Sequence, residues 1–334
     1  MIVAITGGTG FIGRKLVERH LAAGDQVRVL TRSADRSAQT DERLKFIVGD
    51  LAADQPIPED FLDGVDVLYH CAGELRDPQK MAALHVRGTE LLLDAAAGRV
   101  GRWVQLSSVG VYGPQMAGVI DENWPMLPRG EYEQTKARAD ELVLERNAKG
   151  EISAVIVRPS IVFGPQMPNR SLFQLLRMIE RGWFFFIGSP GASANYVYVD
   201  NVIDVLQLAA DANVAAGSVY NISDQCTLEQ FATHLASARQ IAPPRLRCPT
   251  WIATAAASVF GWLPGFPLTT ARVKAMSTRA VYSSARAQRE LGYVPRVSIA
   301  EGIRRLVSAV PIAPCTDAAE AALVSSYAIT RNTL

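Results

Sequence analysis

The sequence predicts an α/β protein: a doubly wound parallel sheet with a smaller, helix-rich C-terminal domain. Three observations predict it. In the first half, short apolar runs rich in β-branched residues alternate with segments of helical period, the mark of βαβ units. A glycine-spaced stretch, "TGGTGFIG" at 6–13, joins the first run to the first helical segment. A chain of 334 residues, 49% of them hydrophobic, can bury a large core in one large or two interleaved domains.

Strands are expected at "IVAIT" (2–6), "QVRVLT" (26–31), "KFIVG" (45–49), "VDVLYHCA" (65–72), "WVQLSS" (103–108) and "SAVIVRP" (153–159). The helix after the glycine stretch places Ile12, Leu16, Val17 and Leu21 on one face, and Gly24 is positioned to end it. A second section begins near Gly164 with a helix at 171–182. A strand and helix across 195–210 are then expected to return to the first domain. The chain is thus read as 1–165 with 195–222 returning to it, a second domain of 166–194 and 223–310, and a tail, 311–334, that is a loose end or an arm on a partner subunit.

Lys and Arg number 34 against 33 Asp and Glu, for a formal charge of +1, so no chain-wide basic field attracts nucleic acid or an acidic membrane surface. Any partner must be recognised locally. Cys71, Cys226, Cys248 and Cys315 are scattered without a CxxC pair, which fits a reducing compartment and no metal site. The first strand begins at residue 2, so a cytoplasmic chain without a leader is expected. Residues 248–271 carry no charge, but Pro264 and Pro267 cut the apolar run below the roughly 20 residues of a spanning helix. The segment is expected to be a short core or pocket-lining helix, or a surface that touches lipid or an apolar substrate.

Gly7 and Gly10 let the backbone turn tightly against a pyrophosphate, Phe11 and Ile12 open a helix whose first N–H groups face it, and Gly13 lets that helix press on the sheet. A glycine triplet between a strand and a helix in a βαβ unit identifies a Rossmann-type dinucleotide site. No GK[ST] follows, so an ATP-type loop is not indicated. At the tip of the second strand the chain reads Thr31, Arg32, Ser33, without an acid for the ribose hydroxyls. With Arg36 nearby this favours NADP over NAD, although Asp35 could serve NAD. Asp50, followed by Leu51 after the third strand, is placed to meet the adenine or simply to form a turn.

"YEQTK" sets Tyr132 and Lys136 one helical turn apart, on a face that continues through Ala139 and Val143. A lysine on an apolar stripe wants a negative neighbour, since burying the ion alone is costly. Beside Tyr132 its charge would favour the phenolate and lower a pKa that starts near 10. Ser107 and Ser108 lie at the carboxyl end of the fifth strand, where open α/β sheets bind ligands. Together these groups form a proton relay for a carbinol: Tyr132 removes the hydroxyl proton, Ser108 holds the oxygen and the cofactor takes the hydride.

These residues resemble the extended short-chain dehydrogenases/reductases, the family of nucleotide-sugar epimerases and dehydratases. The resemblance spans about 1–310 through "TGGTGFIG", "GDL" (49–51), "YHCAG" (69–73), "SSVGVYG" (107–113), Tyr132 with Lys136, "RPSIVFGP" (158–165), "YVYVDNV" (196–202) and "SSARAQRELGYVP" (283–295). It implies that Ser108, Tyr132 and Lys136 are the catalytic triad, with Lys136 also on the nicotinamide ribose. It implies that Cys71, Ala72 and Gly73 line the cofactor, that Pro159 and Ile161 flank the nicotinamide, and that a homodimer forms through helices near 80–98 and 131–148.

Departures from the family pattern narrow the substrate. Val109 and Gly110 stand where 4,6-dehydratases have an acidic pair, so dehydration is not expected. Ala194 replaces the arginine that galactose-type epimerases direct at the sugar diphosphate, and His85 in "HVRGT" replaces an asparagine. His85 and His70 are read as structural. Arg32 and the apolar 251–263 segment resemble the hydroxysteroid dehydrogenase and dihydroflavonol reductase branch, in which that segment would roof a pocket for a flat, apolar alcohol or ketone. Arg245, Arg247, Arg272 and Lys274 are a solvated face or a site for a diphosphate. A non-catalytic NADP-binding regulator or structural subunit would share the fold, but relatives of that kind commonly lose the tyrosine or lysine.

Overall fold

Alternation along the strands creates the two sides of the sheet. In Ile2–Thr6, Val3 and Ile5 point to one side and Ala4 to the other, all fully buried. A strand buried on both faces belongs inside a parallel sheet covered by helices. The computed structural model describes residues 1–33, 41–53, 55–169, 171–211, 213–260, 262 and 268–309. Seven parallel strands run in the order Leu44–Val48, Gln26–Thr31, Ile2–Thr6, Val67–His70, Arg102–Leu106, Ala154–Pro159 and Ser218–Ile222. Leu16 and Val17 of helix Phe11–Ala22 and Val202, Ile203 and Leu206 of helix Val199–Ala209 cover one side. Leu92 and Leu93 of helix Gly88–Ala96 and Leu142 and Val143 of helix Glu131–Ala148 cover the other.

The strand order reverses between Ile2–Thr6 and Val67–His70. The connections leaving these two strands therefore part to opposite sides and open a crevice at their carboxyl ends. Two expected strands are shorter than their apolar runs. Val67–His70 stops because the Ala72 N–H turns to the Thr6 side chain (3.2 Å), and Arg102–Leu106 stops because Ser108 caps a 3₁₀ turn at Val109–Tyr112.

The strand and helix expected across 195–210 go separate ways. The helix Val199–Ala209 packs on the large sheet, but the strand Ser193–Tyr198 joins a three-stranded sheet, parallel to Ile161–Phe163 and antiparallel to Asp224–Thr227. The edge place beside Ala154–Pro159 is taken by Ser218–Ile222, which no sequence pattern singled out. Helices Ser171–Glu180, Leu228–Ala238 and Ile299–Ser308 build a second core around Phe163, Tyr198 and Phe231. A third, smaller layer pairs Phe186–Ile187 with Arg247–Cys248 and adds helices Thr250–Phe260 and Thr270–Ser277 around Ile187, Ala253, Ala257 and Val273. Among the described residues, no helix is long and apolar enough to cross a membrane. Asp35, Arg36, Pro264, Pro267, Cys315 and the tail from 311 lie outside the described residues.

Candidate active site

The glycine loop closes the crevice from below. Gly7 has φ +68°, and a Cβ there would lie 2.6 Å from the Cys71 carbonyl oxygen and 2.7 Å from the Ala72 nitrogen. A Cβ on Gly13 would meet the Gly7 carbonyl oxygen at 2.2 Å. Only glycine fits at either place. Gly8 also sits tight, 2.8 Å from Val29 by the same measure, a constraint missed in the spacing Gly7, Gly10, Gly13. Phe11–Ala22 begins at Gly10 without a side-chain cap, which leaves its first N–H groups and the positive end of its dipole turned to the loop. This cradle suits a pyrophosphate.

The other candidate cofactor residues ring that loop. Gly49 N–H donates to the Thr31 carbonyl (2.9 Å), which sets the tips of the second and third strands side by side. Arg32 is exposed there, while the Asp50 carboxylate accepts the Ala52 N–H (2.9 Å) in its own turn and Leu51 is buried beneath Gly88. Cys71 follows the fourth strand, and burial pushes its thiol up to about 12 against the opposing pull of Lys136. On the far side Pro159 ends its strand and Ile161 is exposed. Between them Ser160 Oγ is buried and makes no hydrogen bond, an orphaned polar atom at the place where the nicotinamide is expected.

Helix Glu131–Ala148 and the end of the fifth strand bring the triad together. Tyr132, half-buried, lies close enough to the Ser108 side chain for that hydroxyl to lower its pKa, and Ser108 Oγ accepts the Gly110 N–H (3.0 Å). A Cβ on Gly110 would stand 3.3 Å from that oxygen, so a larger residue there would crowd the hydroxyl. Lys136 is buried, and its Nζ donates to the Leu106 carbonyl at 2.6 Å. Ser107 is not part of this group; its hydroxyl donates to Asp140 (2.8 Å).

One electrostatic expectation is corrected. Tyr132 is held above the ordinary phenol range: burial raises it most, the Ser108 hydroxyl lowers it, and the charge of Asp140 raises it further. Lys136 does not offset this, because its ammonium is committed to the Leu106 carbonyl and burial lowers its own pKa, with Asp140 and Cys71 opposing. The phenol is therefore kept protonated, the form that can donate to a developing alkoxide.

A buried polar network beneath the triad was missed in the stripe read through Ala139 and Val143. Asp140, one turn beyond Lys136, is fully buried and accepts from Arg158 Nε at 2.9 Å. Arg158 Nη1 donates to the Tyr112 hydroxyl (2.9 Å), which donates to Asn221 (2.9 Å). The chain of contacts ties the helix Glu131–Ala148 to the strands Ala154–Pro159 and Ser218–Ile222 and to the 3₁₀ turn Val109–Tyr112. The available signal was an acid eight residues after Tyr132 on a buried face, matched by an arginine inside an apolar strand.

The two histidines are fixed and neutral. The Thr89 hydroxyl donates to the His85 carbonyl (2.5 Å), so at His70 Nε2 (3.0 Å) it accepts, and His70 Nδ1 takes the Thr6 hydroxyl (2.6 Å). The Glu74 N–H donates to His85 Nε2 (2.9 Å), which leaves Nδ1–H for Thr135 (2.9 Å). The His85 ring stands edge-on to Tyr132, centroids 5.7 Å apart. Burial, with the Lys136 charge second, drives both rings down to about 3.

The pattern of the NAD dependent epimerase/dehydratase family matches residues 3–223. The chain belongs to that family. As an extended short-chain dehydrogenase/reductase it is an NAD(P)-dependent enzyme, which sets aside the regulator alternative. Sterol demethylase protein B of Methylococcus capsulatus is 30% identical, over 88% of this chain and 94% of the relative. The 4-hydroxy-2-methyl-3-oxo-4-farnesyl-3,4-dihydroquinoline-1-oxide ketoreductase of Stigmatella aurantiaca is 32% identical, over 92% and 96%. Among solved structures, gox2253 matches with a TM-score of 0.73 at 27% identity, over 92% of this chain and 97% of that one. UDP-glucuronic acid 4-epimerase from Bacillus cereus with NAD shares the fold of this chain, with a TM-score of 0.72 at 20% identity over 92% and 98%.

Proposed function

We propose that this enzyme interconverts a secondary hydroxyl and a ketone on an apolar small molecule, with Ser108, Tyr132 and Lys136 as the proton relay. The observation that carries the reading is the approach of the Tyr132 phenol to the Ser108 side chain at the carboxyl end of the sheet, with Lys136 buried one helical turn away on the Leu106 carbonyl. A bound nicotinamide dinucleotide supplies or accepts the hydride at the substrate carbon. Gly7, Gly10, Phe11, Ile12 and Gly13 would hold its pyrophosphate, and Cys71, Ala72, Gly73, Pro159, Ile161 and the Ser160 hydroxyl would enclose the nicotinamide end. In reduction Ser108 holds the carbonyl oxygen and Tyr132 gives it a proton; in oxidation Tyr132 takes that proton back. Lys136, held on the Leu106 carbonyl, would turn its ammonium to the nicotinamide ribose.

Two observations favour the apolar substrate over a nucleotide sugar. Ala194, where a diphosphate-binding arginine would stand, is buried in the second core and leaves no room for one. The two relatives at 30% and 32% identity carry names that specify a sterol and a farnesylated quinoline ketone. Arg32 at the strand tip, without an acid at 31–33, supports NADP over NAD. Cytoplasmic location and a homodimer through helices near 80–98 and 131–148 complete the reading. The outward stripe of the second helix carries Arg138 paired with Glu141 and Glu145, so that interface would be polar.

Tyr132→Phe should lower turnover at least about 100-fold, the scale of a lost general acid, while NADPH still binds. Oxidation of NADPH followed by absorbance, with sterol-like ketones and UDP- or GDP-sugars as substrates, checks this. NADH in parallel tests the Arg32 reading. Near-normal turnover in the variant would remove the relay, and turnover of the sugars alone would remove the apolar substrate.

A further inference from the structure

The helix Thr250–Phe260 carries no charged residue on any side, a composition that belongs to a helix covered all round. Among the described residues, only its inner face is covered, by Ile187 and Val273 against Ala253 and Ala257. On the opposite face Trp251, Ile252 and Val259 are 73%, 41% and 58% exposed, and Trp262 just beyond the helix is 70% exposed. At 3.6 residues per turn the three on the helix, Trp251, Ile252 and Val259, fall within an arc of about 100°. Large apolar side chains gathered on one exposed face mark a surface that meets something.

Charge identifies the partner. Between Glu229 and Glu290 the sequence contains no Asp or Glu and eight Lys or Arg, in a chain whose formal charge is only +1; Arg239, Arg247, Arg286 and Arg289 are paired with Glu180, Glu229 and Glu290, which leaves the positive charge with the others. Arg245, ahead of the helix, and Lys274, on the helix packed against it, are both exposed. A second copy of this chain would set the same positive segment against itself, which like charges oppose. Tryptophans flanked by cations suit the headgroup layer of an anionic bilayer.

We propose that this outer face docks on an anionic bilayer surface, with Trp251 and Trp262 in the interfacial layer and the basic flanks against the headgroups. The helix lies on the membrane and does not span it. The near-neutral chain-wide charge conceals this, because the compensating acids lie elsewhere in the sequence. The proposal makes no use of the catalytic reading and stands or falls apart from it.

The test is sedimentation of the full chain with vesicles of phosphatidylcholine, alone or with phosphatidylglycerol. Binding is expected to the anionic vesicles, with blue-shifted tryptophan emission, and should weaken at 1 M salt, where the screening length is about 3 Å. Trp251→Ser with Trp262→Ser should lower the partition coefficient about tenfold for each indole removed from the interface. Arg245→Glu with Lys274→Glu should lower it while leaving both indoles in place. All four side chains are exposed, so an unchanged melting temperature separates lost docking from lost folding. Failure to bind anionic vesicles would overturn the proposal, as would undiminished binding by both double variants. A dimer in light scattering that the tryptophan variant dissolves, without vesicle binding, would assign the face to a second copy instead.

Discussion

Two helices of this enzyme invert the usual rule of burial in opposite directions. Glu131–Ala148 takes Lys136 and Asp140 out of water, whereas Thr250–Phe260 leaves Trp251, Val259 and neighbouring Trp262 in it. The difference lies in where the partners are. The buried ions are answered within the chain, Lys136 by the Leu106 carbonyl and Asp140 by Arg158 and Ser107. The Trp262 indole donates to the Val259 carbonyl (2.8 Å), but among the described residues neither exposed indole has cover on its outer face. An internal partner for an unfavourable group speaks for a built site; an unfavourable group turned outward speaks for a surface that works in contact with something else.

The comparison breaks most sharply at Asp140. Asp140→Ala leaves the Arg158 guanidinium buried without its carboxylate and should cost about 3–5 kcal/mol, read from denaturant unfolding. Asp140→Leu combined with Arg158→Met removes both charges and should cost less than the single change. Additive losses would mean that the two residues are not coupled, and the account of how this helix is held would fail.

That pair also shows what could be read in advance. The strands at 2–6 and 26–31 are found at those residues because local alternation and glycine punctuation suffice to define them. Ser108, Tyr132 and Lys136 could be grouped in advance because two of them are one helical turn apart and the third lies just beyond the end of the strand Arg102–Leu106. Asp140 and Arg158 meet only through packing of a helix on a strand, which no local pattern contains. The direction of the Tyr132 shift was misread for the same reason: it depends on burial and on which oxygen Lys136 reaches, both set by tertiary structure. The edge strands of the second sheet, Ile161–Phe163 and Asp224–Thr227, short and far apart in sequence, were likewise invisible, although its central strand was expected.

A pH series sharpens the contrast between charge buried in pairs and rings buried neutral. His70 and His85 protonate near 6.5 when unfolded and only at about 3 when folded. Across that window the unfolded chain binds more protons, so stability is complete above 6.5 and falls as the pH falls toward 3. At pH 5 each ring should have lost about 2 kcal/mol of stability, since one pKa unit corresponds to about 1.4 kcal/mol. His70→Asn should lessen the loss of stability between pH 7 and 5 by the share of one ring, about 2 kcal/mol, on the same reasoning. An unchanged slope would show that the ring is not buried neutral.

The smallest effect is expected where the side chain is largest. Trp251→Ser removes an indole that is 73% exposed, and a surface change away from caps and networks should alter stability by no more than about 0.5 kcal/mol. Chemical denaturation of the isolated protein checks this. A loss of several kcal/mol would mean that the indole is packed in the folded chain, and the contrast between the two helices would collapse. A null result, set beside the expected loss at Asp140, would show that one helix owes its odd residues to the fold and the other carries them without any return in stability.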